Sequence, residues 1–295
     1  MIPTIGFGTF LINNDDCKTS VYKAIQAGYR HIDTAEGYEN EQGVGEAIQQ
    51  AIDDGLIKRE DIYVTTKLFP GNPQWNIPGK TYDDVILAAN KSLKKLNLDY
   101  IDLYLIHAPF PKEQRLDQWK ALLDLKKAGK TKSVGVCNYN IHHINEIKEA
   151  NLELPENNQI ELHPWSQKPE LVKYLKDNSI SITAYSSLIP LSNWRKDGGK
   201  YVEGKPSEWT SEGTKDDSPF KIMANKYKVT EAQILLKWAI QKGYKILPKS
   251  VSEERIRENF DLFSFEIDQD DMNHVENMDK GDGIAWPAGD PCLYP

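Results

Sequence analysis

Residues 83–107, DDVILAANKSLKKLNLDYIDLYLIH, form one helix-to-strand unit from which the class of fold can be read. Within Asp83–Leu96 the apolar residues recur with the period of an α-helix and share one face: Val85, Ile86, Ala89, Leu93 and Leu96. The apolar run Ile101–Ile106 then predicts a short buried strand, and His107 follows where this strand ends. A helix leading into a buried strand is typical of a parallel α/β fold.

The same alternation extends along the chain in both directions. Eight candidate strands are Ile5–Thr9, Arg30–Ile32, Ile62–Thr66, Ile101–Ile106, Ser133–Val136, Asn158–Ile160, Ile180–Ala184 and Lys245–Leu247. Further helical patterns cover Gln118–Ala128, Lys168–Lys176 and Glu231–Gln241, and glycines suited to left-handed helix ends stand at Gly28, Gly55, Gly129 and Gly243. Parallel strands joined by right-handed crossovers follow, and we predict a single-domain (β/α)8 TIM barrel over residues 1–295.

An open doubly wound sheet is the competing architecture. Such a sheet usually carries G-x-G-x-x-G after its first strand, and residues 6–11 read Gly-Phe-Gly-Thr-Phe-Leu. Leu11 stands where the third glycine belongs, so this alternative is disfavoured. Two segments depart from the regular alternation: a long loop over 188–219 after the seventh strand, and a tail over 281–295 that we expect to border a substrate pocket.

Composition excludes several functional classes. The net charge of −8 disfavours a nucleic-acid partner, because phosphate binding requires clustered Lys and Arg. The three cysteines Cys17, Cys137 and Cys292 are far apart, so neither a zinc site nor a disulfide framework is indicated. No signal peptide or membrane span is evident, and we expect a cytoplasmic protein without a bound metal.

Polar residues follow the predicted strands one after another. They are Asp33, Lys67, His107, Asn138, the pair Gln159 and Glu161, Tyr185 and Lys249. In a barrel these strand ends meet at one rim, where the active sites of such folds lie.

Asp33, Tyr38 and Lys67 together suit proton transfer. A tyrosine with a pKa near about 10 is a poor acid-base group at neutral pH, and lowering that pKa by about 2 units needs roughly 3 kcal/mol. One ammonium at about 4 Å supplies about 4 kcal/mol at an effective dielectric constant of about 20. A carboxylate partner such as Asp33 keeps this lysine charged. We therefore expect Lys67 to lower the pKa of Tyr38, and His107 to orient a carbonyl oxygen.

Five ordered segments carry a strong resemblance to the aldo-keto reductase superfamily, and especially to fungal carbonyl and xylose reductases. They are Gly28–Gly45 (GYRHIDTAEGYENEQGVG), Thr65–Leu68 (TTKL), Asp99–Pro109 (DYIDLYLIHAP), Val134–Tyr139 (VGVCNY) and Leu247–Asn259 (LPKSVSEERIREN). The similarity runs from near residue 3 to near residue 280.

The resemblance implies a barrel that binds NADPH and reduces carbonyl groups of small molecules. Tyr38 would be the general acid, Lys67 and Asp33 would tune it, and His107 would orient the substrate. Asn138 and Gln159 would hold the nicotinamide carboxamide, and Tyr185 would stack on its ring. The other cofactor-binding residues implied are Ser186, Leu188 and Ser192 at the pyrophosphate; Lys249, Ser250 and Arg255 at the 2′-phosphate; Glu258 and Asn259 at adenine; and, without a stated part of the cofactor, Gly8, Thr9, Phe10, Ser187 and Val251.

The chain also departs from the family pattern. Most of an N-terminal hairpin that usually covers the barrel floor is missing, which we expect to affect stability rather than activity. Cys137 stands where a serine is common. Ala108 stands where many relatives have Trp, which predicts a pocket open to bulky ketones. The substrate-binding residues expected are Phe10, Phe69, Ala108, Phe110 and Trp286.

The sequence leaves two other functions open. One is a slow-turnover NADPH-binding regulatory subunit, which the complete set of Asp33, Tyr38, Lys67 and His107 disfavours. The other is a xylose-reductase-like sugar reductase that uses NADH, which the cluster of Lys249, Ser250 and Arg255 disfavours. A monomer or a homodimer is expected.

Overall fold

Eight short strands pair in parallel and in chain order in the computed structural model, which describes residues 1–192, 213–281, 283, 285–286 and 289–295. They are β1 (Phe7–Gly8), β2 (His31–Asp33), β3 (Tyr63–Leu68), β4 (Ile101–Ile106), β5 (Thr131–Cys137), β6 (Asn157–Glu161), β7 (Ser181–Tyr185) and β8 (Lys245–Ile246). The sheet closes on itself, because the Gly6 N–H donates to Ile246 O at 2.8 Å and the Gly8 N–H donates to Pro248 O at 3.0 Å. The predicted (β/α)8 barrel is therefore confirmed.

Helices surround the barrel. Those of the described residues are α1 (Asn14–Gln26), α2 (Glu41–Asp53), α3 (Tyr82–Leu96), α4 (Arg115–Lys127), α5 (Ile141–Glu149), α6 (Pro169–Asp177), α7 (Pro219–Tyr227), α8 (Glu231–Gln241), α9 (Glu253–Glu258) and α10 (Gln269–Glu276). In α3 the side chains of Thr81 and Asp84 satisfy each other's backbone N–H groups, and Asn97 ends the helix in a left-handed conformation. None of the described helices is long and apolar enough to cross a membrane.

Alternate side chains of β4 belong to two separate clusters of the core. Tyr104 and Ile106 belong to the large cluster that the strands share with the surrounding helices. Leu103 and Leu105 belong to a second, small cluster with Cys137, against which the partly buried Ile2 and Tyr63 pack. Successive side chains of a strand point to opposite faces, so this second cluster fills the interior of the barrel. Since Tyr63 begins β3, Ile2 lies at the amino ends of the strands.

The boundaries of some predicted elements shift, for identifiable reasons. β1 covers only Phe7 and Gly8 of the predicted Ile5–Thr9, because Ile5 forms an isolated bridge with Ile246 of β8 and is not part of the strand. α4 begins at Arg115, ahead of the predicted Gln118, because the buried Arg115 side chain is neutralised by Glu146. α10 was missed because the sequence places few apolar residues on its inner face. The four predicted helix-ending glycines all have positive φ, from 72° to 109°: Gly28, Gly55, Gly129 and Gly243.

Candidate active site

The four predicted catalytic residues meet at the carboxyl ends of β2, β3 and β4. Asp33 ends β2, Lys67 lies near the end of β3, and His107 follows β4 directly. Tyr38 is held on a short 3₁₀ turn, Glu36–Tyr38, that follows β2. This is the rim of the barrel where active sites of the fold lie.

The Lys67 ammonium is the centre of the cluster. It is fully buried and donates to Asp33 Oδ1 at 2.5 Å, to the Thr34 carbonyl at 2.8 Å and to the Tyr38 hydroxyl at 3.3 Å. The other oxygen of Asp33 accepts from Gln159 Nε2 at 2.8 Å. A buried charge is tolerated when it is paired and fully hydrogen-bonded, and all three ammonium protons have acceptors here. Lys67 is therefore held in one position, with one proton directed at Tyr38.

Burial and the neighbouring charges set the protonation states. The charge of Asp33 keeps the pKa of Lys67 above its ordinary value despite burial, so the lysine stays cationic. The expectation that Lys67 lowers the pKa of Tyr38 below 10 is not met. Burial raises the pKa of Tyr38 to about 12, because the opposing effect of Lys67 is partly offset by Asp33. Tyr38 is accordingly a protonated phenol at neutral pH, the form that a proton donor requires.

His107 faces Tyr38 across the site. Its Nε2 lies 3.5 Å from the Tyr38 hydroxyl, and the two rings meet edge to face. Burial, reinforced by the charge of Lys67, holds the pKa of His107 well below its ordinary value. A neutral imidazole donates one hydrogen bond without adding a charge, which suits the orientation of a carbonyl oxygen.

The residues expected to hold nicotinamide lie beside this cluster. Tyr185 donates its hydroxyl proton to Asn138 Oδ1 at 2.8 Å, and Asn138 Nδ2 donates to the His107 carbonyl at 3.0 Å. Asn138 has a φ of 63°, a left-handed conformation that asparagine tolerates better than most residues. Gln159 already donates to Asp33, which leaves its oxygen as an acceptor. Cys137 faces the barrel interior, and burial raises its pKa well above the ordinary value.

The residues expected at the cofactor phosphates fit an anionic group. Ser187 Oγ is buried and has no hydrogen-bond partner among the described residues, and Ser186 has a φ of 57° that turns the chain after β7. Neither Lys249 nor Arg255 has an ion-pair partner within the described part of the chain, and partial burial, reinforced by the charge of Arg255, lowers the pKa of Lys249. Two close, uncompensated cations are what a 2′-phosphate with roughly two charges requires.

The remaining predicted cofactor residues differ in exposure. Val251 is exposed, Ser250 and Asn259 are buried, and Leu188, Ser192 and Glu258 are partly exposed. Ser250 Oγ accepts from the Ser252 N–H at 3.0 Å. Gly8 approaches the Leu247 carbonyl so closely that a Cβ would lie 3.0 Å from that oxygen, so a larger residue would crowd the junction of β1 and β8.

Asn40 connects the loop after β1 to the turn that carries Tyr38. This fully buried residue donates to the Thr9 carbonyl at 2.9 Å and to the Ile12 carbonyl at 2.8 Å, and it accepts from Thr34 Oγ1 at 2.7 Å. The predicted residues Gly8, Thr9 and Phe10 are thereby fixed relative to Tyr38. The Phe10 ring lies 5.1 Å from the Tyr38 ring.

Aromatic side chains line the approach to Tyr38 and His107. The Trp286 ring lies 6.1 Å from His107 and 5.7 Å from Phe110, and Trp75 lies 5.7 Å from Phe110. Phe69 is partly exposed beside them. Ala108 is fully buried, so its methyl group does not line an open surface; that the pocket admits bulky ketones stays a prediction. Trp194, which belongs to the predicted long loop over 188–219, lies outside the described residues.

Some residues that support the site were not predicted from the sequence. Glu36 accepts the Phe69 N–H at 3.0 Å and pairs with Lys80 at 2.6 Å, which ties the Tyr38 turn to the loop after β3. The sequence indicates Glu161 only as a polar strand end and does not predict its partners. The signal available for Glu36 and Asn40 was their position beside Tyr38 in the segment Gly28–Gly45.

Comparison with known proteins agrees with this arrangement. The chain is 37% identical to methylglyoxal reductase DkgA of Escherichia coli, over 95% of this chain and 91% of that protein. It is 36% identical to an NAD(P)H-dependent D-xylose reductase of Candida tropicalis, over 95% and 90%. The crystal structure of a Bombyx mori aldo-keto reductase in complex with NADP superposes with a TM-score of 0.82 at 34% identity, over 95% and 90% of the two chains.

A sequence model of the aldo/keto reductase family matches residues 4–280, which include every strand of the barrel and the clustered residues Asp33, Tyr38, Lys67 and His107. Barrel, rim residues and family match coincide over the same part of the chain, and the protein therefore belongs to the aldo/keto reductase family.

Proposed function

We propose that this protein reduces aldehydes and ketones to alcohols with NADPH, and that Tyr38 is the general acid. The observation that carries the proposal is the contact of the Lys67 ammonium with the Tyr38 hydroxyl, while Asp33 holds the same ammonium from the opposite side. A tyrosine placed against a permanent cation can release its proton in the reaction, because the phenolate that forms is stabilised at once.

The roles of the side chains follow from their contacts. A bound reduced nicotinamide would supply the hydride. His107 Nε2 would donate a hydrogen bond to the carbonyl oxygen and direct it toward Tyr38. Tyr38 would transfer its proton to that oxygen as negative charge develops there, and Lys67 would stabilise the phenolate left behind. Asp33 keeps Lys67 charged and in place.

NADPH rather than NADH is proposed because of Lys249 and Arg255. Neither side chain has an ion-pair partner among the described residues, and partial burial together with the charge of Arg255 disfavours the charged form of Lys249, so a bound anion would favour that form. NADH lacks the 2′-phosphate and would leave them uncompensated. The NAD(P)H-dependent xylose reductase relative shows that both cofactors should be tested.

The decisive experiment compares wild type with Tyr38→Phe. Oxidation of NADPH is followed against a panel that includes methylglyoxal and D-xylose, for which relatives are named, together with aromatic aldehydes and ketones. Loss of a general acid is expected to lower kcat by about 10²–10⁴-fold, with the Kd for NADPH within about twofold of wild type.

Three outcomes would contradict the proposal. Undiminished carbonyl reduction by Tyr38→Phe would remove Tyr38 from the mechanism. Tight NADPH binding by wild type without turnover of any carbonyl would instead favour a cofactor-binding regulatory protein. A preference for NADH by about tenfold, or about 1.4 kcal/mol, would contradict the assignment of Lys249 and Arg255.

A further inference from the structure

Glu161 is a buried carboxylate that the proposed proton transfer does not use. It ends β6 and is fully buried. Its Oε1 lies 2.8 Å from Nε2 of the equally buried His163, and the Ala285 N–H donates to both oxygens, at 3.0 and 2.9 Å. A buried carboxylate is expensive to leave without partners, so its contacts should be strongly preferred over alternatives. One of these partners belongs to the C-terminal tail.

The bond to Ala285 lies one residue from an aromatic wall of the pocket. Trp286 follows Ala285 directly, and its ring lies edge to face against His107 and Phe110. Because the Ala285 N–H is fixed against β6, the backbone at Trp286 has little freedom to move away from the barrel rim.

The shape of the tail supports the same attachment. Gly283 lies between two carboxylates, since a Cβ there would lie 2.5 Å from Glu161 Oε2 and 3.0 Å from Asp290 Oδ2. Asp290 pairs with Lys168 and accepts the N–H groups of Gly283 and Cys292, each at 3.0 Å. The Asp290 contacts lie further from Trp286 in the chain, so Glu161 is the attachment that bears directly on the pocket.

We propose that Glu161 is a specificity-determining positioning residue, which fixes Trp286 against His107 and Phe110 through the Ala285 N–H and so sets the width of the carbonyl pocket. This inference rests on the proposed carbonyl-reductase function. It assigns Glu161 no contact with substrate or cofactor.

The first test is Glu161→Gln, which keeps the shape of the side chain but removes its charge and one acceptor. The ratio of KM for a bulky aromatic ketone to KM for a small aldehyde is expected to change by about tenfold, the effect of one charge-assisted hydrogen bond. kcat for the small aldehyde and the Kd for NADPH should stay within about twofold of wild type. Glu156→Gln, a half-exposed carboxylate beside the opposite end of β6, is the matched control and should change none of these values.

A double-mutant cycle asks whether the effect acts through Trp286. In a Trp286→Ala background, Glu161→Gln should leave the KM ratio unchanged, because the wall that it positions is gone. Independent, additive effects of the two substitutions would overturn the proposal. Gly283→Ala provides a second route, since its Cβ would push the tail away from Glu161 without altering that carboxylate. It should shift the KM ratio as Glu161→Gln does, and a wild-type ratio would contradict the inference even if Glu161→Gln did not fold.

Hydrogen exchange supplies a readout that does not depend on activity. The peptide containing Ala285 should exchange faster in Glu161→Gln than in wild type, and at the wild-type rate in Glu156→Gln. Unchanged exchange in Glu161→Gln would overturn the attachment itself. If wild type reduces no carbonyl, the proposed function fails, whereas normal reduction with an unaltered KM ratio in Glu161→Gln defeats only the role of Glu161.

Discussion

Lys67 and Asp33 form a buried pair whose two members depend on each other. Burial raises the pKa of Asp33, while Lys67 and Gln159 oppose that rise; the charge of Asp33 in turn keeps Lys67 protonated. Removing one partner leaves the other charge uncompensated in the barrel interior, which costs more than the pair itself contributes. The proposed catalytic role and the stability of the fold therefore depend on the same two residues, and separating the two effects requires a double substitution.

Lys67→Met is expected to lower the free energy of unfolding by about 3–5 kcal/mol near neutral pH. Without the Lys67 ammonium, nothing of that charge opposes the effect of burial on Asp33, and the pKa of Asp33 rises further. A group with a raised pKa in the folded state stabilises that state below its unfolded pKa and loses this contribution as pH rises. The destabilisation should therefore be larger at about pH 8 than at about pH 5, as measured by urea unfolding.

The double variant Asp33→Asn with Lys67→Met is the control. It should recover part of the lost stability and much of the pH dependence should disappear, while carbonyl reduction stays abolished. A Lys67→Met variant whose destabilisation is the same at both pH values would argue against a charged Asp33 as the cause.

At the scale of elements, two arginines of the short helix α9 have different surroundings. Arg255 has no ion-pair partner among the described residues and its charge helps to lower the pKa of Lys249, whereas Arg257 pairs with Glu253 at 3.1 Å. A cation already paired with a carboxylate gains little from a further anion, whereas an unpaired one beside another cation gains much. The pair Lys249 and Arg255, not the helix as a whole, is expected to discriminate between the two cofactors.

Lys249→Ala and Arg255→Ala should each raise the Kd for NADPH by about tenfold or more, which is the worth of one hydrogen bond to a charged group. The Kd for NADH should change by less than about twofold. Arg257→Ala on the same helix is the matched control and should behave as wild type with both cofactors. Fluorescence titration or calorimetry measures the three variants, and equal weakening of NADPH and NADH binding would place the 2′-phosphate elsewhere.

At the scale of the molecule, the two ends of the barrel have different roles. The carboxyl ends of the strands carry Asp33, Tyr38, Lys67 and His107 and receive the tail, whose terminal carbonyls are bound by Arg115 and His143. The cluster of Leu103, Leu105 and Cys137 fills the interior, and Ile2 packs against this cluster at the amino ends of the strands. Substitutions at the amino end should therefore affect stability without reaching the chemistry.

Ile2→Ala is expected to lower the free energy of unfolding by about 1–2 kcal/mol, less than for a fully buried isoleucine because Ile2 is only partly buried. kcat and KM should stay at their wild-type values. Leu87→Ala, at a position that is 57% exposed on α3, is the control and should change stability by less than about 0.5 kcal/mol. A loss of turnover in Ile2→Ala without a loss of stability would show that the two ends are not independent.

The order of amino acids was enough to predict the barrel and the four residues at its rim. Hydrophobic period and strand length are local properties, and Asp33, Lys67 and His107 each stand where a buried run ends, so a barrel must bring them together. The assignments of cofactor residues came from resemblance, since spacing alone does not indicate hydride transfer.

Only the tertiary structure placed the contacts between distant segments and the balance of charge at the site. The hydrogen bonds between Ala285 and Glu161 and between Arg115 and Pro295 join segments that are far apart in the sequence, and no hydrophobic period indicates that such segments meet. The pKa of Tyr38 depends on burial as much as on Lys67, and burial is a property of the folded chain, which is why a local argument predicted its direction wrongly.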